Sequence, residues 1–322
     1  MKAIRIARHG GPEVLQLEEV ATPSPGPGQL LVRLEAIGVN FIDIYHRTGL
    51  YKVPLPYGVG IEGAGIVEAA GERVAEPQIG ERVAWAGPPG SYATHALVPA
   101  DRAVRVPKSV DGRSAAALML QGMTAHYLTH STFPLGPGDT CLVHAAAGGV
   151  GLLLTQIARR RGARVLATVS TEEKERLARQ AGADEVILYT KEDFVGAVRR
   201  ATSGAGVRVV YDSVGKETFA GSLDSLAPRG MLVLYGQSSG VVPPLELQLL
   251  SIKGSLYVTR PTLGHYTATA EELGGRARDL FAWLEDGSLR LRVGATFPLA
   301  DAAEAHRQLE ARKTTGKILL LP

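Results

Sequence analysis

The second half of the chain alternates short apolar segments with amphipathic segments of helical period, starting near Thr140. A short apolar segment between Gly-rich or polar stretches is typical of a strand that is buried on both faces. Repeated strand–helix alternation favours a parallel, doubly wound sheet with helices on both sides. We predict the strands of this α/β domain at residues 141–143, 164–167, 185–188, 207–211, 231–234 and 255–258.

The first part of the chain has a different pattern. Short segments of β character, such as 30–34, are separated by turn-rich runs such as 23–28, which holds three prolines and two glycines. This pattern predicts an antiparallel, barrel-like domain. At residues 111–114 the sequence changes to an Ala- and Leu-rich helical stretch, with Asp111 or Ser114 as the predicted helix cap.

After a helix predicted near 271–286, the sequence again has the pattern of strands. The predicted elements of this C-terminal tail are a strand near 289–297, a helix near 301–312 and a final strand at 317–321. We expect this tail to pack back on the first domain. The predicted organisation is therefore a β-rich domain at 1–115 that is completed by 288–322, and an α/β domain at 116–287.

Composition excludes several classes of protein. The single cysteine, Cys141, excludes an internal disulfide and a thiolate metal cluster. The 322 residues have a net charge of +3 with Lys and Arg scattered among acids, so we expect no nucleic-acid partner. No apolar stretch reaches the ~18 residues of a membrane span, and the N-terminus lacks the apolar core of a signal peptide. We therefore expect a cytoplasmic protein that does not enter a membrane.

A glycine-rich segment, HAAAGGVG at 144–151, directly follows the first predicted strand of the α/β domain and precedes a helix predicted to open at Leu152. Against the dinucleotide pattern G-x-G-x-x-G it has Ala146 first, then Gly148 and Gly151. The second glycine lets the backbone approach a pyrophosphate, and the third lets helix and strand pack closely. The alternative is a tight strand-to-helix turn without a ligand. The residues expected to line the cofactor are Ala146, Gly148, Gly149, Val150 and Gly151.

The end of the second predicted strand distinguishes NADPH from NADH. An NAD site places an Asp or Glu about 20 residues after the glycine-rich loop, where it bonds the ribose 2′-hydroxyl. Here the sequence has Ser170 and Thr171 instead, and Lys174 follows one turn later. Because no carboxylate opposes a 2′-phosphate and a lysine favours it, we predict that the cofactor is NADPH. The alternative for Lys174 is an ordinary lysine on a helix surface.

Several segments resemble one family over the whole chain. They are GGVG at 148–151 followed by Gln156 and Arg159, GVNFIDIYHRTGLY at 38–51, GIEGAGIV at 60–67, VVYDSVG at 209–215 and GSLYVTRPTL at 254–263. On these segments the chain resembles the zinc-free NADPH:quinone oxidoreductases, the zeta-crystallin branch of the medium-chain dehydrogenase/reductase superfamily. The resemblance implies a GroES-like catalytic domain, a Rossmann domain with NADPH in the cleft between the two, and a quinone substrate.

A catalytic metal is not expected. The zinc-dependent relatives take a metal ligand from a Gly-His-Glu step, and this chain has Gly-Ile-Glu at 60–62. The Ile61 side chain cannot bind zinc, and Cys141 lies in the other domain. His126 and His130 are four residues apart on one predicted helix but lack the glutamate of the motif H-E-x-x-H, so we interpret them as a packing pair.

The resemblance places Asn40, Asp43 and Tyr45 at the nicotinamide end of the cleft, as the catalytic candidates. Without a metal, a conjugated quinone is a better acceptor than a simple ketone, because hydrogen bonds suffice to stabilise its weakly basic phenolate. We expect Asn40 or Tyr45 to orient a quinone oxygen. The alternative is that Asn40 and Asp43 fix a turn and that Tyr45 packs.

The resemblance also implies further cofactor contacts. Tyr45, Thr124 and Tyr127 are expected near the nicotinamide, and Tyr189 near the adenosine phosphate. Arg312 is expected to reach the 2′-phosphate, and the alternative for it is a cation at a helix end. The remaining contacts are expected in two segments, one with Gly236, Gln237, Ser238 and Ser239 and the other with Tyr257, Thr259 and Arg260.

These inferences predict an NADPH-dependent quinone reductase that works without a metal. One alternative is a metal-free reductase of α,β-unsaturated aldehydes or ketones, and another is a non-catalytic NADPH- or RNA-binding protein of the crystallin type. We also predict a homodimer, because the strand at 255–258 is last in the sheet and lacks the charge or proline that protects an edge. The alternative is that the helix near 271–286 covers this edge.

Overall fold

The computed structural model describes all 322 residues, which form two compact units. The first unit comprises Met1–Met123 with Thr267–Pro322, and the second comprises Thr124–Tyr266. The helix near 271–286 therefore belongs to the first unit, whereas the predicted limits 116–287 group it with the α/β domain. The functional domain limits stay a prediction.

The elements of the first unit up to the division are mostly strands. In chain order they are β1 (Lys2–Ile6), β2 (Gln16–Glu19), β3 (Gln29–Val39), α1 (Phe41–Thr48), β4 (Tyr57–Gly58), β5 (Glu62–Ala70), β6 (Arg82–Ala86), β7 (His95–Pro99), β8 (Val104–Arg105) and α2 (Gly112–Tyr127), whose last turn enters the second unit. Short 3₁₀ turns lie at Pro12–Val14 and Ala100–Arg102.

The second unit alternates strands and helices, as predicted. After a π-helical turn at Leu128–Thr132 come β9 (Thr140–Val143), α3 (Gly149–Arg160), β10 (Arg164–Val169), α4 (Glu172–Gln180), β11 (Glu185–Leu188), α5 (Phe194–Ala201), β12 (Val207–Asp212), α6 (Phe219–Asp224), β13 (Leu226–Leu234), α7 (Gln248–Ile252), β14 (Tyr257–Thr259) and α8 (Leu263–Tyr266).

The chain then returns to the first unit. The returning elements are α9 (Ala270–Glu285), β15 (Val293–Pro298), a 3₁₀ turn at Leu299–Asp301, α10 (Ala302–Glu310) and β16 (Lys317–Leu321).

The second unit is built on one parallel six-stranded sheet in the order β11-β10-β9-β12-β13-β14. The chain winds outward from β9 in one direction and from β12 in the other, so the strand order reverses between these two strands. Its central strands are apolar and buried, with Leu142, Leu166 and Val210 fully enclosed. The predicted doubly wound α/β fold is confirmed.

The first unit holds a seven-stranded sheet in the order β15-β16-β3-β5-β6-β8, with β7 also paired to β3. All pairs in it are antiparallel except β15 with β16. The predicted return of the C-terminal tail is observed, because β16 lies directly beside β3. A second sheet of β2, β1 and β4 and helix α10 complete the core of this unit.

A buried ion pair joins the returning strand to the rest of the first unit. Lys317, at the start of β16, donates from Nζ to the carboxylate of Glu62, at the start of β5, and both side chains are almost without exposure. The pair fits only because residue 38 is a glycine, since a Cβ there would lie 2.0 Å from Glu62 Oε2.

No helix is both long enough and apolar enough to span a membrane.

Candidate functional site

The glycine-rich loop of the second unit follows β9 at the carboxyl edge of the parallel sheet. Ala145 adopts the left-handed region with φ of 51°, and Ala146 donates its N–H to Thr168 O at 3.2 Å. Helix α3 begins at Gly149, three residues before the predicted start at Leu152, because Gly148 has the extended conformation of a cap. The first-turn N–H groups of α3 are thus presented at the loop, where an anion is stabilised.

Gly151 is required by close packing. A Cβ at this position would lie 2.4 Å from Ala145 O and 2.7 Å from Ala146 Cα, so no side chain fits. At Gly148 a Cβ would lie 3.1 Å from Ala145 O. The loop therefore has the close helix–strand approach that a dinucleotide fingerprint requires. Gly149 and Val150 form the first turn of α3.

The residues predicted to select NADPH lie together after β10. Lys174 Nζ donates to Ser170 Oγ at 3.2 Å, and Thr171 caps α4 by accepting the Lys174 N–H. Thr190 Oγ1 also donates to Ser170 O at 3.1 Å, which ties the end of β10 to the residue after Tyr189. Tyr189 itself is 47% exposed. The structure thus brings a lysine and two hydroxyl-bearing residues to the position where an NAD site has a carboxylate.

The loops after β12 and β13 are joined by hydrogen bonds. Ser239 Oγ donates to Val214 O at 2.7 Å, and Ser238 N donates to Ser213 O at 3.1 Å. Gly236 is sterically required, because a Cβ there would lie 2.6 Å from Ser213 O. Gln237 lies between these anchors, so the predicted segment 236–239 forms one ordered loop at the carboxyl edge of the sheet.

The other cofactor candidates are more scattered. In the second unit Thr124 and Tyr127 are buried on α2, and the Tyr127 ring stacks on Tyr266 at a centroid distance of 4.3 Å. Along β14 and just after it, Tyr257 is 59% exposed, Thr259 is half-buried, and Arg260 donates to Leu234 O at 2.9 Å. Arg312 lies just after α10 in the first unit, with φ of 56°.

The catalytic candidates in the first unit begin with Asn40, which is buried and saturated with hydrogen bonds. Its Nδ2 donates to Glu62 Oε2 at 2.7 Å and to Gly38 O at 3.4 Å. Its Oδ1 accepts from Lys317 Nζ at 2.8 Å and from Gln121 Nε2 at 3.4 Å. No hydrogen-bonding group of the amide is left for a substrate oxygen, which favours a role in local structure. Direct contact of Asn40 with a quinone stays a prediction.

Asp43 is fully buried at the start of α1. Its Oδ2 accepts the Asn40 N–H at 2.8 Å and the Tyr92 hydroxyl at 3.1 Å, whereas Oδ1 has no hydrogen-bond partner. Burial raises the pKa of this carboxyl from 3.8 to about 7, against the opposing effects of the Asn40 N–H, the Lys317 charge and the Tyr92 hydroxyl. When Asp43 is protonated, the proton belongs on Oδ1, because both bonds to Oδ2 come from donors.

A second buried group supports Tyr92. The Tyr92 hydroxyl lies 3.0 Å from His306 Nε2, and the Arg47 guanidinium lies 3.3 Å from His306 Nδ1. Since Arg47 can only donate, Nδ1 accepts and the Nε2–H donates to Tyr92. Burial, with the Arg47 charge, lowers the pKa of His306 from 6.5 to about 3, so this histidine stays neutral. Arg47 is balanced by a salt bridge of 2.5 Å to Glu310.

Tyr45 packs in an aromatic cluster on α1. Its ring meets Tyr51 edge-on at a centroid distance of 5.1 Å and lies 6.3 Å from Phe41. The side chain is 8% exposed. Of the three catalytic candidates, Asn40 and Asp43 are joined by hydrogen bonds, and Tyr45 stands beside them on the first turns of the same helix.

The sequence analysis missed most of this polar cluster. Lys317, Tyr92 and His306 come from three distant segments and match no local motif, so only the folded chain identifies them. Glu62 was visible in the Gly-Ile-Glu step, but only as the neighbour of a missing metal ligand. Its Oε1 in fact accepts the N–H of Leu120 within α2 at 2.6 Å.

The residues present do not form a metal site. No group of three or more His, Cys, Asp or Glu side chains lies in the arrangement that a metal ion needs. Ile61 is buried, and the rings of His126 and His130 stack on each other at a centroid distance of 4.1 Å, in agreement with a packing pair. Cys141 is buried in β9, and burial raises the pKa of its thiol, so it is not an activated nucleophile.

Comparison with known proteins agrees with both units. Residues 26–108 match the alcohol dehydrogenase GroES-like domain, and residues 181–320 match the family described as zinc-binding dehydrogenase. A quinone oxidoreductase of Pseudomonas aeruginosa is 50% identical, and the alignment covers 100% of this chain and 99% of that protein. The chain belongs to the quinone oxidoreductase family. This confirms the predicted resemblance and the GroES-like plus Rossmann fold class.

Other members of the quinone oxidoreductase family are similarly close. A 2-haloacrylate reductase of a Burkholderia species is 47% identical over 98% of both chains. The crystal structure of Escherichia coli quinone oxidoreductase complexed with NADPH superposes with a TM-score of 0.98 at 44% identity and covers 100% of both chains. Within this family the isoleucine at position 61 agrees with the zinc-free branch, although one matched domain is described as zinc-binding.

The raised pKa of Asp43 predicts a pH-dependent stability. The folded carboxyl keeps its proton up to about pH 7, whereas the carboxyl of the unfolded chain loses it near the ordinary aspartate pKa of 3.8. The contribution of Asp43 to the free energy of unfolding is therefore fully present below pH 4 and is lost as the pH rises to 7. The loss is on the order of 4 kcal/mol. An Asp43→Asn variant keeps both bonds to the oxygen, cannot ionise, and is expected to lose this decline.

Denaturant unfolding at pH 5 and pH 8 measures the effect as a difference between the wild type and each variant. The exposed residue Asp101 offers the matched control, because Asp101→Asn removes a carboxyl from the same unit without a buried charge. If Asp43→Asn and wild type lose the same stability between pH 5 and pH 8, Asp43 is ionised in the folded protein and the assignment is wrong.

Proposed function

We propose that this protein is an NADPH-dependent quinone reductase. The observation that carries the proposal is the acid-free end of β10, where Lys174 is held by Ser170 beside a sterically required glycine loop at the carboxyl edge of a parallel sheet. Full-length identity of 50% to a quinone oxidoreductase supports the choice of substrate.

The residues of the second unit fit the cofactor. Gly151 and Gly236 leave space at the two loops where any side chain would collide with backbone, and α3 presents its first-turn N–H groups to a pyrophosphate. Lys174, Ser170 and Thr171 are assigned to the 2′-phosphate. When bound, NADPH supplies the reducing equivalents as hydride. Cys141, the single cysteine, is buried without a disulfide, and we place the protein in the reducing environment of the cytoplasm.

The side chains of the first unit form no set of ligands for a metal ion. The negative charge that develops on the substrate must therefore be stabilised by the substrate itself. A quinone does this by conjugation, and hydrogen bonds then suffice. Because the amide of Asn40 is saturated, we assign contact with the quinone ring to Tyr45 and a positioning role to Asn40 and Asp43. Asp43 and Asn40 hold the start of α1, and therefore the helix that carries Tyr45.

A steady-state panel tests the function directly. NADPH oxidation should be rapid with benzoquinones and naphthoquinones, slow with NADH in place of NADPH, and unchanged after exhaustive chelation. The 2-haloacrylate reductase relative favours one second candidate, a reductase of conjugated carbon–carbon double bonds. Turnover of 2-haloacrylate or enals together with no turnover of quinones would replace the proposed function by that one. Loss of quinone turnover on chelation, restored by zinc, would overturn the metal-free mechanism.

Lys174 gives the sharpest prediction for cofactor choice. Lys174→Ala should weaken NADPH binding by about 1.5 to 3 kcal/mol, or about 10- to 150-fold in Kd, because it removes a charge-assisted bond to the 2′-phosphate. The Kd for NADH should be nearly unchanged. Arg179→Ala is the matched control, since it removes a cation from the same helix whose partner is Glu175. Equal losses for NADPH and NADH would remove Lys174 from the phosphate site.

We further propose a homodimer formed through the edge of the parallel sheet. Strand β14 is last in the sheet, and nearby side chains expose apolar surface, with Leu247 at 75%, Ile252 at 73% and Tyr257 at 59%. An unprotected apolar edge is usually covered, and a second copy covers it symmetrically. Helix α9, the alternative cover, packs against β8 in the first unit.

Light scattering tests the dimer. The wild type should have twice the chain mass of 34.1 kDa, and Leu247→Asp with Ile252→Asp should shift it to the monomer. Ile79→Asp is the control, because Ile79 is 65% exposed and belongs to the first unit, which does not contain this sheet. A wild-type mass near 34.1 kDa rejects the dimer, and a dimer that survives the double change places the interface elsewhere.

A further inference from the structure

A chain of buried polar side chains crosses the middle of the parallel sheet in the second unit. His144 Nδ1 lies 2.8 Å from Thr168 Oγ1, and His144 Nε2 lies 3.1 Å from Ser222 Oγ. Ser222 Oγ in turn donates to Asp212 Oδ2 at 2.8 Å. None of the four side chains is more than 2% exposed. The dinucleotide motif ascribes no role to any of them.

The hydrogen bonds in this chain have one direction. The Asp212 carboxylate is surrounded by donors, because it also accepts the N–H groups of Val214 and Gly215 and the Thr218 hydroxyl. The Ser222 hydroxyl therefore donates its hydrogen to Asp212, and its oxygen must accept a hydrogen bond from His144 Nε2–H. His144 Nδ1 is then an acceptor for the Thr168 hydroxyl, so the neutral Nε2–H tautomer satisfies every partner. Burial lowers the pKa of His144, which keeps it neutral.

The network spans the point at which the strand order reverses. His144 is the first residue after β9 and Asp212 is the last residue of β12, and these neighbouring strands lead to loops that part in opposite directions. In open α/β sheets, ligands bind in the crevice that opens at this point. The backbone gives a second link there, because His144 N donates to Tyr211 O at 3.1 Å.

Each end of the network enters a segment already assigned to the cofactor. His144 precedes Ala145, whose left-handed φ of 51° is unusual for a residue with a side chain and must be held by its surroundings. Thr168 stands two residues before Ser170, and it also accepts the Ala146 N–H at its carbonyl. Asp212 binds the N–H groups of the loop after β12, to which Ser238 and Ser239 are attached.

We propose that His144 is a positioning residue of the dinucleotide site, whose side chain fixes the glycine-rich loop of residues 145–148 relative to the loop of residues 213–215. This inference rests on the proposed use of NADPH. A buried histidine whose hydrogen bonds served only the packing of the core would affect the stability of the protein and not its affinity for NADPH. A positioning residue sets the separation of two loops that embrace one ligand, so its loss must appear in the affinity for that ligand.

The experiment measures the Kd of NADPH by fluorescence titration, with kcat and KM measured separately. His144→Leu leaves Thr168 and Ser222 without their partner and should raise the Kd about 10- to 100-fold. The KM for NADPH should rise with it, whereas kcat at saturating NADPH should change less than about threefold. His144→Gln keeps a donor toward Ser222 and should restore most of the affinity. Failure of Gln to restore affinity, or a fall in kcat alone, overturns the proposal.

Ser225→Ala is the matched structural control. Ser225 is fully buried in the same unit and donates to Gly221 O at 2.8 Å, but it lies before β13, at the opposite edge of the sheet from the loops. It should lower the midpoint of thermal unfolding without changing the Kd of NADPH. If it raises the Kd as His144→Leu does, general destabilisation explains both and the proposal fails.

Ser222→Ala keeps the experiment decisive should His144→Leu not fold. It removes the acceptor of the His144 Nε2–H and should raise the Kd of NADPH about 3- to 10-fold. Combined with His144→Leu it should add little, because both changes break one chain of hydrogen bonds. Full additivity of the two changes, or an unchanged Kd for Ser222→Ala alone, contradicts the proposed chain of hydrogen bonds. A wild type that does not bind NADPH at all contradicts the proposed function instead, so the two failures are distinguishable.

Discussion

The buried ion pair between Lys317 and Glu62 is the interaction on which the first unit depends. It joins the last strand of the chain to β5 and, through the amide of Asn40, to the start of α1. Removing one partner of such a pair leaves an uncompensated charge in the interior, at a cost of about 3 to 5 kcal/mol. Each of the two charged residues therefore needs the other, and the pair needs the glycine at position 38, although the three residues are far apart in the sequence.

The second unit rests on a different constraint, the common direction of its strands. Because all six strands are parallel, every loop that follows a strand emerges at one edge, and the reversal between β9 and β12 opens a crevice there. The glycine-rich loop, the Ser170–Lys174 segment and the loop at 236–239 all lie on this edge. The location of the proposed cofactor site thus follows from strand direction. In our proposal, the buried hydrogen-bonded chain from Thr168 to Asp212 sets the relative position of the loops.

Local sequence predicted the parts of the site whose geometry is local. The turn at 144–151 needs a glycine at position 151, because a Cβ there would collide with Ala145 O. The shape of the turn can therefore be predicted from its sequence. The start of α3 was misplaced by three residues, since the motif marks the turn but not which residue takes the extended cap conformation. Asn40 was identified from the resemblance as a group for substrate contact, and only its four partners reveal that the amide is already occupied.

The sequence by itself determined the two fold classes, the parallel direction of the strands in the α/β domain, the position of the glycine-rich loop and the lack of a zinc ligand at Ile61. Each of these depends on residues close together in the chain. The tertiary structure alone decided that α9 belongs to the first unit, that Lys317 pairs with Glu62, and that His144, Ser222 and Asp212 form one directed chain. The hydrogen bonds and the ion pair join residues that are between 10 and 255 positions apart, and the burial that makes them strong exists only once the chain has folded.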